Sequence, residues 1–112
     1  MTKIECILRP NLILELKNAL GKLGIKGMTV TEAIGFGFQK GHKGENWNTE
    51  LNINLLPKTK VEMVVSDDLV DEIIKTIISA VRTGEIGDGK IFTYPIGNAI
   101  RIRTGETGEK AI

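Results

Sequence analysis

A chain of 112 residues with 41% apolar side chains, 26% charged side chains and a net charge of +1 can build one hydrophobic core and is too small for two. The charge balance excludes a broad electrostatic pull towards nucleic acid or anionic lipid, and an aromatic content of 4% leaves few stacking platforms for single strands. No apolar stretch nears the ~20 residues of a membrane span, no signal-peptide pattern opens the chain, and the lone Cys6 sits in an apolar run that fits core packing in a reducing compartment. The expectation is one cytoplasmic domain over residues 1–112, with no nucleic-acid partner and no direct membrane insertion.

In chain order, Lys3 to Leu8 reads as a strand. Pro10 and Asn11 then open a helical pattern carrying Leu12, Ile13, Leu16, Leu20 and Leu23 on one face, stopped at Gly24. Met28 to Ile34 reads as a second strand, ending at Gly35-Phe36-Gly37, and Lys60 to Val65 as a third. Ser66, Asp67 and Asp68 offer an acidic helix start, before Leu69, Val70, Ile73, Ile74, Ile77, Ile78 and Val81 at helical spacing. A last strand is expected from about Lys90 to Arg101. The two halves echo each other, Lys3-Ile4-Glu5-Cys6-Ile7-Leu8 against Lys60-Val61-Glu62-Met63-Val64-Val65. The order βαββαβ is that of an α+β, ferredoxin-like sandwich, with helices on one face of an antiparallel sheet. The other face is left to a second subunit or to water, and apolar residues on both strand parities favour burial.

The turn Thr83-Gly84-Glu85-Ile86-Gly87-Asp88-Gly89-Lys90 concentrates glycines and one ammonium. Backbone amides with little side-chain cover can converge on an anion, and Lys90 adds a point charge. Gly84, Gly89 and Lys90 satisfy most of a P-loop pattern, but Ile91 stands where Ser or Thr would hold magnesium, and the flanks run from helix to strand rather than the reverse. Two readings stay open, a phosphate-binding loop and an unliganded helix-to-strand turn. Between the second and third strands, Phe38 to Asn54 is longer than the ~12 to 15 residues beyond which structureless loops are usually functional or disordered. Trp47 at its centre is either a partner contact or packed back on its own subunit. His42, the single histidine, has no orienting partner at metal-ligand or catalytic spacing and reads as a solvated loop residue.

The element order, the long loop, the glycine turn with Ile91-Phe92, and Arg101-Ile102-Arg103-Thr104-Gly105-Glu106 together resemble the PII signal-transduction family over essentially the whole chain. Gly27-Met28-Thr29-Val30-Thr31-Glu32, Gly35-Phe36-Gly37, Gln39-Lys40-Gly41-His42 and Leu56-Pro57-Lys58 carry the likeness further. The resemblance implies a non-enzymatic homotrimer with clefts between subunits that bind ATP or ADP and, with ATP, magnesium and 2-oxoglutarate. It implies a nucleotide site of Thr29, Gly35, Gly37, Phe38, Val64, Gly87, Asp88, Gly89, Lys90, Arg101, Ile102 and Arg103, with Thr29 and Val64 framing adenine. The 2-oxoglutarate site would use Gln39, Lys40, Gly41, Lys58 and Gly87, with Gln39 as the magnesium ligand and Lys58 on the distal carboxylate. Arg101 and Arg103, placed on one face of the expected last strand, would join Lys90 as cations for the polyphosphate.

The loop from Phe38 to Asn54 would be the effector arm, with His42, Trp47, Thr49 and Leu51 facing a target such as an ammonium transporter, a nitrogen-metabolism enzyme or a regulator. A transporter target would recruit the protein to the membrane. Leu51 has no hydroxyl where many relatives carry a uridylylated tyrosine, and the single tyrosine, Tyr94, lies in a predicted strand. Trp47 replaces an arginine that enters transporter channels, Thr49 stands where some relatives carry a phosphorylated serine, and Phe38 stands where arginine is common. Two readings from other classes compete. A small P-loop-like nucleotide hydrolase lacks the hydroxyl after Lys90, a second acidic magnesium ligand and a base. An RNA-binding domain of this topology lacks its stacking aromatics.

Overall fold

The computed structural model describes residues 1–36 and 55–112. Its elements are β1 (Thr2–Leu8), α1 (Ile13–Gly21), β2 (Thr29–Gly35), β3 (Leu56–Val65), α2 (Val70–Val81) and β4 (Lys90–Pro95). The strands form one sheet in the order β2-β3-β1-β4, and every neighbouring pair is antiparallel. This is the expected split-βαβ sandwich. The two strands that echo each other in sequence are its central pair, with Ile4 opposite Met63 and Cys6 opposite Val61.

Alternation along these strands sends Ile4, Cys6, Leu8, Val61, Met63 and Val65 to one face, where they are buried. Leu16 and Leu20 of α1 and Ile73, Ile77 and Val81 of α2 meet them at helical spacing and close the core. Each helix opens through a single 3-10 turn, Pro10–Leu12 before α1 and Asp67–Leu69 before α2. Proline suits a first turn because its missing N–H has no partner to lose there. Ser66 caps α2 only through its backbone, its carbonyl accepting from Leu69 N at 3.0 Å. Its hydroxyl instead donates to the Glu109 carboxylate.

The opposite face is less apolar than strand parity suggested. Lys3, Glu5, Lys60 and Glu62 lie among Ile7, Val64, Phe92 and Tyr94, with Lys60 3.3 Å and Lys3 3.9 Å from the Glu62 carboxylate. Lys3 also stands 4.6 Å from the centre of the Tyr94 ring, and the Tyr94 hydroxyl donates to Glu5 at 3.2 Å.

α1 ends at Gly21 rather than carrying Leu23 up to Gly24, because the chain passes into a turn closed by Gly24 N to Gly21 O at 3.2 Å. Two strand boundaries differ from the sequence reading by four residues or more, for identifiable reasons. β3 begins at Leu56 rather than Lys60, because β2 continues to pair with it as far as Gly35 opposite Leu56. β1 stops at Leu8 opposite Thr59, so the residues of β3 before Thr59 face β2 alone, and Pro57 meets the weaker demands of an edge. β4 ends at Pro95 rather than running to Arg101. Its neighbour β1 begins at Thr2, opposite Pro95, and the last bond between them runs from Ile96 N to the Met1 carbonyl at 3.1 Å.

Candidate functional site

The glycine turn connects the end of α2 to the start of β4, confirming the helix-to-strand order. Gly84, Gly87 and Gly89 all have positive φ. Gly89 is also sterically compelled, since a Cβ there would lie 1.7 Å from the Ile7 carbonyl oxygen. Ile91 packs against the core and offers no hydroxyl to a metal. That removes the magnesium-holding part of a P-loop.

The turn is organised by two residues whose part the motif did not reveal. The Asp88 carboxylate accepts Thr83 N at 2.9 Å, Gly84 N at 2.8 Å and the Thr83 hydroxyl. Arg9, just past β1, pairs with Asp88 and donates to the Ile86 carbonyl at 3.0 Å. Thr83's hydroxyl and Arg9, aided by the backbone N–H donors, hold the Asp88 carboxyl well below the usual carboxylate range. The two N-terminal amides of the turn are therefore already occupied. Arg9 was legible only as a cation beside Pro10, because its partners lie more than seventy residues away in sequence.

Beside the turn lies a cleft of about 260 Å³ lined by Ile7, Gly35, Phe36, Leu56, Lys58, Ile86, Gly87, Gly89, Lys90 and Phe92. It gathers five of the expected site residues, Gly35, Lys58, Gly87, Gly89 and Lys90. Lys58 lies within β3 and donates from Nζ to the Gly87 carbonyl at 3.3 Å, so it belongs to the cleft wall and is not a loose loop lysine.

Asp88 belongs to the turn itself, with its carboxylate on Thr83 and Gly84, and the remaining described site residues are elsewhere. Thr29 stands opposite Glu62 at the far end of β2, and Val64 lies opposite Lys3. Lys58 and Val64 are thus about 20 Å apart along one strand at ~3.3 Å per residue. Val64 lines a second cavity, about 500 Å³, with Gly24, Ile25, Lys26, Gly27, Ser66, Leu69, Glu109 and Ile112 among its walls. Arg101 and Arg103 do not share a strand face. They lie in a turn closed by Arg101 N to Glu106 O at 2.8 Å, Gly105 N to Arg101 O at 2.7 Å and an Ile100–Thr107 bridge. Arg101 reaches Glu106 at 3.5 Å, and Ile102 is 99% exposed. Asn98 organises this segment, its side-chain oxygen accepting Ala99 N and Gly108 N at 2.9 and 3.2 Å.

Gly37, Phe38, Gln39, Lys40, Gly41, His42, Trp47, Thr49 and Leu51, and with them the expected magnesium ligand and effector contacts, lie outside the described residues. Among the described residues, no helix is long and apolar enough to cross a membrane.

A small split-βαβ sandwich with a glycine-built cleft at one end of its sheet does not by itself name a function, and comparison with known proteins narrows the class. The family model described as nitrogen regulatory protein P-II matches residues 1–106, and the chain belongs to that family of regulatory proteins. Similar relatives include the nitrogen regulatory protein P-II of Rhodospirillum rubrum, 53% identical, and the nitrogen regulatory protein P-II 1 of Escherichia coli, 49% identical. Each alignment covers all of both chains. Among solved structures, that of Arabidopsis thaliana PII bound to citrate is similar with a TM-score of 0.81 and 44% identity, covering 99% of this chain and 91% of the other.

Proposed function

We propose that the protein is a homotrimeric, non-enzymatic sensor of ATP, ADP and 2-oxoglutarate that signals to nitrogen-metabolism targets through residues 38–54. The observation that carries this reading is the division of the expected nucleotide residues between opposite ends of one sheet. Gly35, Gly87, Gly89 and Lys90 stand around the cleft, whereas Thr29, Val64, Arg101 and Arg103 belong to the far end. A head-to-tail ring would bring the glycine turn of one subunit to the Val64 end of the next and complete a site at each junction.

The chemistry of each half fits its share of a nucleotide. Glycine amides and Lys90 suit phosphate, and Val64 beside Gly27 suits a flat apolar base. Magnesium would supply charge neutralisation between phosphates and 2-oxoglutarate, held chiefly by phosphate oxygens with the Gln39 amide oxygen as its protein ligand. Lys58 would meet the distal carboxylate. Because Lys58 also donates to the Gly87 carbonyl, a carboxylate that draws its ammonium alters a bond to the phosphate turn. That is a physical route for coupling, and it must act equally in both directions. The similar plant protein is bound to citrate, itself a polycarboxylate. The sensor would work in the cytoplasm, and a transporter target would bring it to the membrane.

Calorimetric titration of 2-oxoglutarate in the presence of magnesium and ATP, then ADP, then no nucleotide tests the sensor reading. Binding with ATP alone is expected, and binding under none of these conditions would leave at most an adenylate sensor. The between-subunit site has its own test. Lys90→Ala and Arg103→Ala chains, each deficient in ATP binding, should regain a fraction of intact sites when co-assembled, and a site within one protomer would regain none.

A further inference from the structure

Asp88 looks like one more member of the phosphate turn, yet its carboxylate is directed inward. It accepts the amides of Thr83 and Gly84 and the Thr83 hydroxyl, the donors that an anionic ligand would otherwise find at that end of the turn. Arg9 neutralises it and ties the Ile86 carbonyl and, at 3.4 Å, Thr83 Oγ1 into the same cluster. Among the described residues, no acceptor meets the Gly87 or Gly89 amide. The turn is thus divided into a half closed by its own carboxylate and a half that faces the cleft.

We infer that Asp88 is a positioning residue and not a ligand contact: with Arg9 balancing its charge, it clamps residues 83–86 so that Gly87, Gly89 and Lys90 present one fixed cradle to phosphate. The inference rests on the reading of this turn as the phosphate site. Glycines leave a free turn many conformations, and a ligand would have to suppress them on binding. A clamp of charge-assisted hydrogen bonds suppresses them beforehand. Arg9 also prevents the carboxylate from repelling the incoming phosphate. A Cβ on Gly87 would lie 3.0 Å from Arg9 Nη2, so the guanidinium forms the back of the turn.

The test compares wild type, Asp88→Ala, Asp88→Asn and Arg9→Gln in two readouts. One is binding of inorganic triphosphate and of magnesium-ATP, and the other is amide exchange of the ligand-free protein. Asp88→Ala is expected to weaken both ligands by about tenfold, with Asp88→Asn intermediate because it keeps one acceptor oxygen, and Arg9→Gln also weakened. Thr83 and Gly84 should exchange about tenfold faster in Asp88→Ala while β1 keeps its protection. If Asp88→Ala also exposes β1, the Asp88→Asn chain decides by the same readouts. Unchanged or tighter triphosphate binding would overturn the inference, and so would a loss confined to ATP, which would make Asp88 a nucleoside contact. Should wild type bind neither ligand, the phosphate reading itself fails, and the exchange of Thr83 and Gly84 still reports whether the clamp exists.

Discussion

The two ends of the sheet are held by different forces. At the glycine turn, an ion pair and several hydrogen bonds converge on Asp88, and Gly89 is pressed against the β1 backbone. At the Val64 end, the closing 3-10 turn Gly108–Ala111 is tied to Ser66 by one side-chain hydrogen bond, with Glu109 and Ile112 beside a roomy cavity. A turn so constrained would, under the proposed function, present one fixed cradle to a small anion. The closing segment at the Val64 end, held by the Ser66 bond and by the Gly108 amide to Ala99 and Asn98, borders open space that under the proposed function would admit a larger group.

This contrast can be broken at its stiffest point first. Gly89→Ala must drive a methyl group into the Ile7 carbonyl at a positive φ, so a loss of about 4 kcal/mol or more in unfolding free energy is expected by denaturant titration. Gly87→Ala carries the conformational penalty but meets only the movable end of Arg9. Its cost should be smaller, about 2 kcal/mol, and equal costs would show that the Ile7 contact is not what fixes the turn. At the other end, Ser66→Ala removes one exposed hydrogen bond to Glu109 and should lower stability by about 0.5 to 1 kcal/mol. A larger loss there would erase the distinction between the two ends.

Titration sharpens the comparison further. The folded-state pKa of Asp88 is depressed by Thr83 and Arg9, so its stabilising effect is full above the unfolded value near ~3.9 and is lost only as pH falls through the lower folded value. Exchange protection of the Thr83 and Gly84 amides should therefore survive at pH 4, and it should lose this acid limb in Asp88→Asn. Cys6 behaves in the opposite sense. Burial, with a lesser contribution from Glu5, pushes its thiol from 9.0 to about 11, so stability is full below the unfolded value and declines as pH rises towards the folded one. Unfolding followed from pH 8 to 11 should show that decline in wild type and not in Cys6→Ala.

Much of the architecture was legible because apolar periodicity reports which face of an element is buried. Leu16 and Leu20, and Ile73, Ile77 and Val81, were read as helix faces and form the core with alternate residues of β1 and β3. Turn chemistry located the glycine loop and Gly24. The ends of β3 and β4 were not legible, because pairing stops where the neighbouring strand stops. A run of extended residues does not encode the length of its partner. For the same reason Arg101 and Arg103 looked like members of a strand face and lie instead in a turn.

Sequence by itself determined the layered βαββαβ sandwich, the core faces and the family, since these follow from local pattern and from motifs spread over the whole chain. Tertiary structure alone decided that Arg9 closes the glycine turn, that Lys58 borders the cleft, and that the Val64 end lies far from Lys90 within the one chain. Those facts depend on which strands are neighbours and which way they run. Local pattern fixes which side chains are buried; only the three-dimensional arrangement of the sheet fixes which distant residues meet.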